Sequence, residues 1–188
     1  MNKDFLEIEV KYDAGDITID QFRAVVQSNF RVVQNIVVSG YDDYFADGTG
    51  RYLRHRYNAD RAELTVKRRL SLDSTTERVE VDVKIEPNQP QEAAKFASIL
   101  GQEFDFQIYK TCLVWWVDDV NISLYLVYNP NMELRFRLVE IEANPDCLEA
   151  TPAIIRAEQI LGKYFPEIRE ELRLNVTMYE MFTTKGSK

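Results

Sequence analysis

The sequence predicts a mainly β chain of the α+β class, with about eight strands and three helices in one domain. Three observations carry that reading. Charged and aliphatic residues alternate at a period of two in one segment after another. Clusters of Gly, Pro, Asn, Asp and Ser punctuate those segments. Only short stretches carry the 3.6-residue spacing of an amphipathic helix. Residues 1–188 show no repeat, linker or low-complexity block, and that length suffices for one sizeable core.

In order along the chain, Phe5–Tyr12 alternates as a strand. Ile17–Phe30 follows as a helix with Phe22, Val25, Val26 and Phe30 on one stripe. Arg31–Phe45 is a strand, and Asp47-Gly48-Thr49-Gly50 turns it into the strand Arg51–Asn58. Asn58-Ala59-Asp60 turns again into Ala62–Leu70, and the polar stretch Ser71–Thr75 makes a loop before the strand Glu77–Ile85. Pro87 and Pro90 end that strand, and Gln91–Leu100 reads as a helix closed by Gly101. Strands return at Gln107–Val117, Val120–Tyr128 and Glu133–Ala143. Thr151–Leu161 reads as a helix with Thr151 as its cap and Pro152 in the first helical position, ending at Gly162 before a charged tail.

A hydrophobic fraction of 45% and a charged fraction of 29% are ordinary for a soluble globular chain. The formal net charge of −8 argues against a general nucleic-acid binder, which needs a basic face to displace counterions from phosphates. No apolar run reaches the length of a membrane span, and MNKDFLEIEVKY holds no apolar leader core. Cys112 and Cys147 stand far apart without CxxC spacing, so neither a zinc site nor a disulfide framework is expected. These features together point to the cytoplasm.

The informative feature is which residues share a strand face. In Glu7-Ile8-Glu9-Val10-Lys11 the charges take one face and the aliphatics the other, and Arg78-Val79-Glu80-Val81-Asp82-Val83-Lys84 repeats the split. Arg54 and Arg56 share a face, as do Thr65 and Lys67, and Glu140 and Glu142. Half-buried strands with one solvated face are the simplest explanation of such alternation. The composition points elsewhere, because carboxylates and arginines come in like-charged pairs that repel on an open face. Carboxylates one strand step apart, about 6–7 Å, suit a hard cation such as Mg²⁺ or Mn²⁺. Arginine's planar fork suits phosphate oxygens. A face with both inventories fits a polyanion together with its metal.

These residues resemble the signature of the CYTH domain, the triphosphate tunnel metalloenzymes. Glu7-Ile8-Glu9-Val10-Lys11 is similar to that family's ExExK. Asp43-Tyr44-Phe45, Leu53-Arg54-His55-Arg56, Leu64-Thr65-Val66-Lys67, Arg78-Val79-Glu80, Lys110 and Val139-Glu140-Ile141-Glu142 follow in the family's order, and Thr177–Phe182 resembles its closing segment. The resemblance implies an eight-stranded antiparallel β-barrel, a tunnel, with a few flanking helices. It implies that Lys11, Arg54, Arg56, Lys67, Arg78 and Lys110 bind a triphosphate. Glu7, Glu9, Glu80, Asp82, Glu140 and Glu142 would hold Mg²⁺ or Mn²⁺, and Glu7, Glu9 and Lys11 would serve catalysis.

The chain departs from that pattern at two positions. Cys112 stands where the family's K-x-R strand carries arginine, and Tyr125 where an aspartate is common. Trp115-Trp116 reads as core or rim packing, with a substrate ring as the alternative, and His55, opposite Arg54 and Arg56, as packing or surface. The leading expectation is metal-dependent hydrolysis of inorganic, thiamine or nucleoside triphosphate. The alternatives are a class IV-like adenylyl cyclase and a triphosphate-binding protein that has lost turnover, with an RNA 5′-triphosphate end as a remote substrate. No membrane partner is expected.

Overall fold

The computed structural model describes residues 6–49, 51–69, 77–87 and 90–185, with side chains at 7–49, 51–66, 80–87 and 91–183. Eight strands are formed: β1 Leu6–Asp13, β2 Val32–Ala46, β3 Tyr52–Tyr57, β4 Ala62–Arg69, β5 Glu77–Ile85, β6 Glu103–Val117, β7 Val120–Tyr128 and β8 Leu134–Ala143. Helix α1 (Ile19–Asn29) follows β1, α2 (Pro90–Ile99) follows β5, and α3 (Ala150–Leu161) and α4 (Met178–Lys185) follow β8. The strands close into an antiparallel barrel in the order β1-β5-β4-β3-β2-β6-β7-β8, with β1 pairing both β5 and β8. No helix among the described residues is long and apolar enough to cross a membrane.

Local chemistry sets the connections. Asn58 accepts from the backbone N–H groups of Asp60 (2.9 Å) and Arg61 (3.0 Å), which tightens the β3–β4 turn. Asp47 accepts from the Thr49 N–H at 2.9 Å, beside Gly48 at φ 75°, a conformation that costs glycine nothing. Thr18 and Gln21 form a capping box at the start of α1.

The largest hydrophobic cluster lies outside the barrel. Val10, Tyr12, Leu113, Trp115, Ile122, Leu124, Val139 and Ile141 point outward from β1, β6, β7 and β8. They pack against Phe22 and Val26 of α1, Ile154 and Leu161 of α3, and Phe165. A smaller cluster sets Ala93 and Ala97 of α2 on Phe45, Leu53 and Leu64. Each aliphatic or aromatic side chain buried there stabilises by about 1.5–3 kcal/mol. With the apolar face turned out toward the helices, the alternating charged residues are left to face the lumen.

The sequence reading differs from the structure at three places. Strand β6 begins at Glu103 rather than Gln107, extending the alternation of Phe104 and Phe106. Helix α3 begins at Ala150 with Glu149 as its cap and no side-chain capping bond. Thr151 and Pro152 therefore sit inside the first turn, where Pro152 still costs no hydrogen bond because those N–H groups have no helical partner. A fourth helix, α4, was not expected. Its eight residues carry a weak apolar stripe, yet Thr177 and Glu180 cap it reciprocally at 2.6 and 3.1 Å, a T-x-x-E signal legible in the sequence. The expected Ser71–Thr75 loop and the residues Phe5, Gly50 and Leu70 lie outside the described residues.

Candidate active site: a lumen of paired charges

Cross-strand register brings the inward residues together in ladders. Asp42 of β2 stands opposite Arg56 of β3, and Arg56 opposite Glu63 of β4. One step along, Tyr44, Arg54, Thr65 and Asp82 follow one another across β2 to β5. On the other side of the barrel Lys11 pairs with Glu140, and Glu9 with Glu142. The result is a chamber of about 250 Å³ lined by Lys11, Arg54, Arg56 and Lys110 and by Glu7, Glu63, Glu80, Asp82, Glu140 and Glu142. Tyr44, Tyr52, Thr65, Tyr125, Thr177 and Met178 complete its wall.

Its charges neutralise one another. Arg56 holds Asp42 bidentately, Nε–Oδ1 2.9 Å and Nη2–Oδ2 3.2 Å, and Lys110 reaches the same carboxylate at 2.8 Å. Arg54 donates to the Thr65 hydroxyl at 2.9 Å and to Glu80 at 3.3 Å, and Thr65 donates to Asp82 at 2.6 Å. Lys11 Nζ lies 2.8 Å from Glu140 and 3.4 Å from Glu9. Tyr125 donates to the second Glu140 oxygen at 2.8 Å.

Burial would raise the Asp42 carboxyl, but Arg56, Lys110 and Arg54 outweigh it and hold the group ionised, well below the usual carboxylate range. Lys110 moves the other way: burial, together with the charges of Arg56 and Arg54, draws its ammonium down to about 8 despite Asp42. Burial lifts the Asp82 carboxyl, and Glu80 and Glu63 add repulsion that the Thr65 hydrogen bond only partly offsets. The Arg54 Nε–H is buried without a hydrogen-bond partner, a costly state for a donor that a bound acceptor would relieve.

No protein-family model matches the chain, and no curated protein matches it in sequence. Solved structures match over nearly its whole length. The PH1012 protein of Pyrococcus horikoshii is 21% identical with a TM-score of 0.69, covering 93% of this chain and 98% of that one. A Vibrio parahaemolyticus protein provisionally named an adenylate cyclase is 16% identical at TM-score 0.61, covering 95% and 98%. The RNA triphosphatase domain of a mimivirus mRNA capping enzyme is 13% identical at 0.52, covering 89% and 91%. The chain has the triphosphate tunnel fold.

Within the tunnel, Glu7, Lys11, Arg54, Arg56, Glu80, Asp82, Lys110, Glu140 and Glu142 all line the charged chamber. Glu9 is 2% exposed and accepts from Lys11. The side chains of Lys67 and Arg78 lie outside the described residues. Among the described residues, no three His, Cys, Asp or Glu side chains converge as a preformed metal site.

Asp42 escaped the sequence reading, which matched only Asp43-Tyr44-Phe45 to the family signature at this point of the chain. Asp43 faces out of the tunnel, where Gln107 donates to it at 2.7 Å and the buried His55, stacked on Tyr57 at 4.6 Å, lies 3.9 Å away. The signal for Asp42 was its two-residue spacing from Tyr44, and the same rule finds Glu63 from Thr65.

The two departures from the family signature have clear structural effects. Burial pushes the Cys112 thiol up to about 11, so it is neutral at neutral pH and neither grips an anion nor attacks as thiolate. Burial, with Cys112 and Glu140 adding to it, keeps the Tyr125 phenol protonated and donating to Glu140.

Proposed function

We propose that the protein hydrolyses a terminal phosphoanhydride bond of a triphosphate held in the charged chamber, with Mg²⁺ or Mn²⁺ as cofactor. The observation that carries this reading is the set of cations around a chamber of about 250 Å³, the buried Lys11, Arg54 and Lys110 and the partly buried Arg56, each held against a carboxylate. A metal–triphosphate replaces both sides of these internal ion pairs at once. Phosphate oxygens take the arginine and lysine donors, including Arg54 Nε, and the carboxylates are left for a cation.

The donor set facing the chamber from Glu7, Glu80, Asp82 and Glu142 is all oxygen, which suits a hard divalent ion. A preformed three-carboxylate cage is not required, because Mg²⁺ is commonly held by one or two carboxylates plus the substrate's own phosphates. Once bound there, such an ion supplies charge neutralisation on the phosphate oxygens.

The remaining work falls to the chain's own groups. Arg54, Arg56, Lys11 and Lys110 position the polyphosphate and stabilise charge on the transferred phosphoryl group. Glu7, on the chamber wall, orients the attacking water and takes its proton. The new bond joins the water oxygen to the γ-phosphorus, and the bond to the β,γ-bridging oxygen breaks. Among the described residues, no Ser–His or Cys–His nucleophile faces the chamber.

Phosphate release from inorganic triphosphate, thiamine triphosphate and ATP with Mg²⁺ or Mn²⁺ tests this directly. Release that a Glu7→Ala/Glu9→Ala variant abolishes is the expected result; none above that control defeats hydrolysis. Cyclic AMP from ATP would instead select the cyclase chemistry. Tyr125, where the resemblance leads one to expect a metal-binding aspartate, favours a second reading, a triphosphate binder without turnover; calorimetric binding without phosphate release would select it.

A further inference from the structure

Helix α2 reverses the usual order of an amphipathic helix. The side chains it presses on the barrel are small: Ala93 and Ala97 are buried on Phe45, Leu53 and Leu64. Its large apolar residues face away from that seat. Phe96 is 48% exposed, Ile99 84% and Leu100 55%, at the i, i+3, i+4 spacing of one stripe. The stripe keeps its register to the end, because the Leu100 N–H bonds the carbonyl oxygens of Phe96 (3.2 Å) and Ala97 (3.0 Å) before Gly101 turns the chain at φ 74°. A helix with alanines toward the barrel and Phe, Ile and Leu on a second face is built to lie between two layers.

The barrel wall around α2 continues the bare surface. Phe104 of β6 is exposed, pairs with the buried Phe45 and meets its ring edge to face at 5.9 Å. On the other flank Val66 stands opposite Leu53 and Val83 opposite Leu64, both exposed. With roughly 150–200 Å² for each such residue when fully bare, these six offer about 600 Å² of apolar surface. That is the upper end of what a monomer leaves uncovered, and close to the ~800 Å² per partner of a specific interface. The two charges of α2 cancel, since Glu92 and Lys95 pair with each other at 2.7 Å.

We infer that this face is the two-fold interface of a homodimer, with α2 antiparallel to α2 of a second copy. The chain carries a net charge of −8, so two copies repel except where they meet on a surface without net charge, and α2 is such a surface. A partner of a different charge finds nothing here to complement. A two-fold axis beside Phe96 and Ile99 lays each stripe on its own equivalent and closes the assembly at two, the commonest oligomer. Phe96 and Ile99 are the anchors at its centre.

Sedimentation velocity of the full chain from about 1 to 100 µM tests this. The expected result is a species of twice the mass of one chain, and Phe96→Asp and Ile99→Asp each weaken the dimer by about hundredfold or more. Val37→Asp sets the same charge on an exposed valine of β2, in the half of that strand away from Phe45, and leaves the dimer intact. Circular dichroism checks the fold of each variant, and Ile99→Asp carries the test should Phe96→Asp not fold. A wild type that stays monomeric across the range overturns the dimer. A dimer that survives Phe96→Asp and Ile99→Asp overturns the surface. Triphosphate binding and turnover do not enter the measurement, so the dimer stands or falls apart from the hydrolase reading.

Discussion

Arg56 and Asp42 face each other across β2 and β3, joined by two parallel hydrogen bonds at 2.9 and 3.2 Å, with Asp42 fully buried. The pair is a structural counter-charge: it lets arginine occupy the middle of a barrel before any ligand arrives. Lys110 leans on the same carboxylate, so two cations share one negative charge, and Glu63, 3.5 Å from Arg56, supplies a second.

Removing the Asp42 carboxylate takes the 2.8 Å partner from Lys110 and leaves Arg56 to the Glu63 carboxylate at 3.5 Å. Asp42→Ala is expected to destabilise the protein by about 3 kcal/mol, the low end for breaking a buried pair, because the Arg56 side chain is a third exposed. Thermal melts measure this. Added inorganic triphosphate is expected to raise the melting temperature of Asp42→Ala more than that of the wild type, since it supplies the missing negative charge. Equal shifts would show that Asp42 does not stand in for the ligand.

A second expectation concerns pH. The Lys110 ammonium is drawn down to about 8 by burial and by Arg56 and Arg54, below its ordinary value. The unfolded chain therefore holds this proton more tightly than the folded one, and the contribution of Lys110 to stability rises as pH rises from about 8 toward the ordinary lysine range. Ligand grip runs the opposite way, because only the protonated amine attracts phosphate. The kcat/KM for triphosphate should fall on the alkaline side with an apparent pKa near 8, and Lys110→Arg should remove that limb. A profile flat to pH 9.5 in the wild type would refute it.

Much of this site could be read from alternation. Glu7, Lys11, Arg54, Arg56, Glu80, Asp82, Lys110, Glu140 and Glu142 all lie on the faces that a two-residue period assigns them. Two features escaped for a shared reason: period alone says which residues share a face, not what faces them. Asp42 and Asp43 are adjacent aspartates, and only register opposite Arg56 and His55 separates counter-charge from outer wall. Val38, Val114 and Trp116 look like any core residues, yet they face the lumen while Leu113, Trp115 and Val117 pack under the helices. Helix α4, which covers one end, is short and held by aromatic stacking on Tyr44, Tyr52 and Phe106, contacts that couple strands distant in sequence.

The crowded acidic wall gives a prediction about metal. Glu80 and Asp82 stand one strand step apart on β5, and repulsion from Glu80 and Glu63 adds to the burial that lifts the Asp82 carboxyl. Glu80→Gln combined with Asp82→Asn should raise the Mn²⁺ concentration for half-maximal phosphate release by about tenfold or more, and EDTA should abolish release from the wild type. Unchanged metal dependence in the folded double variant would move the cation to Glu7 and Glu142.

The two adjacent tryptophans offer a test of the inside-out architecture itself. Trp115 contacts Phe22 of α1 at 5.6 Å between ring centres and joins the core outside the barrel, whereas Trp116 faces the lumen. Trp115→Ala should cost about 3–5 kcal/mol through lost burial and the cavity left between β6 and α1. Trp116→Ala removes a side chain that borders open space rather than packed neighbours, so its cost should be about 1 kcal/mol. Urea unfolding of the two variants measures the difference. Equal losses would mean that both rings are packed alike, and a barrel with its core on the outside and charge within would not survive that result.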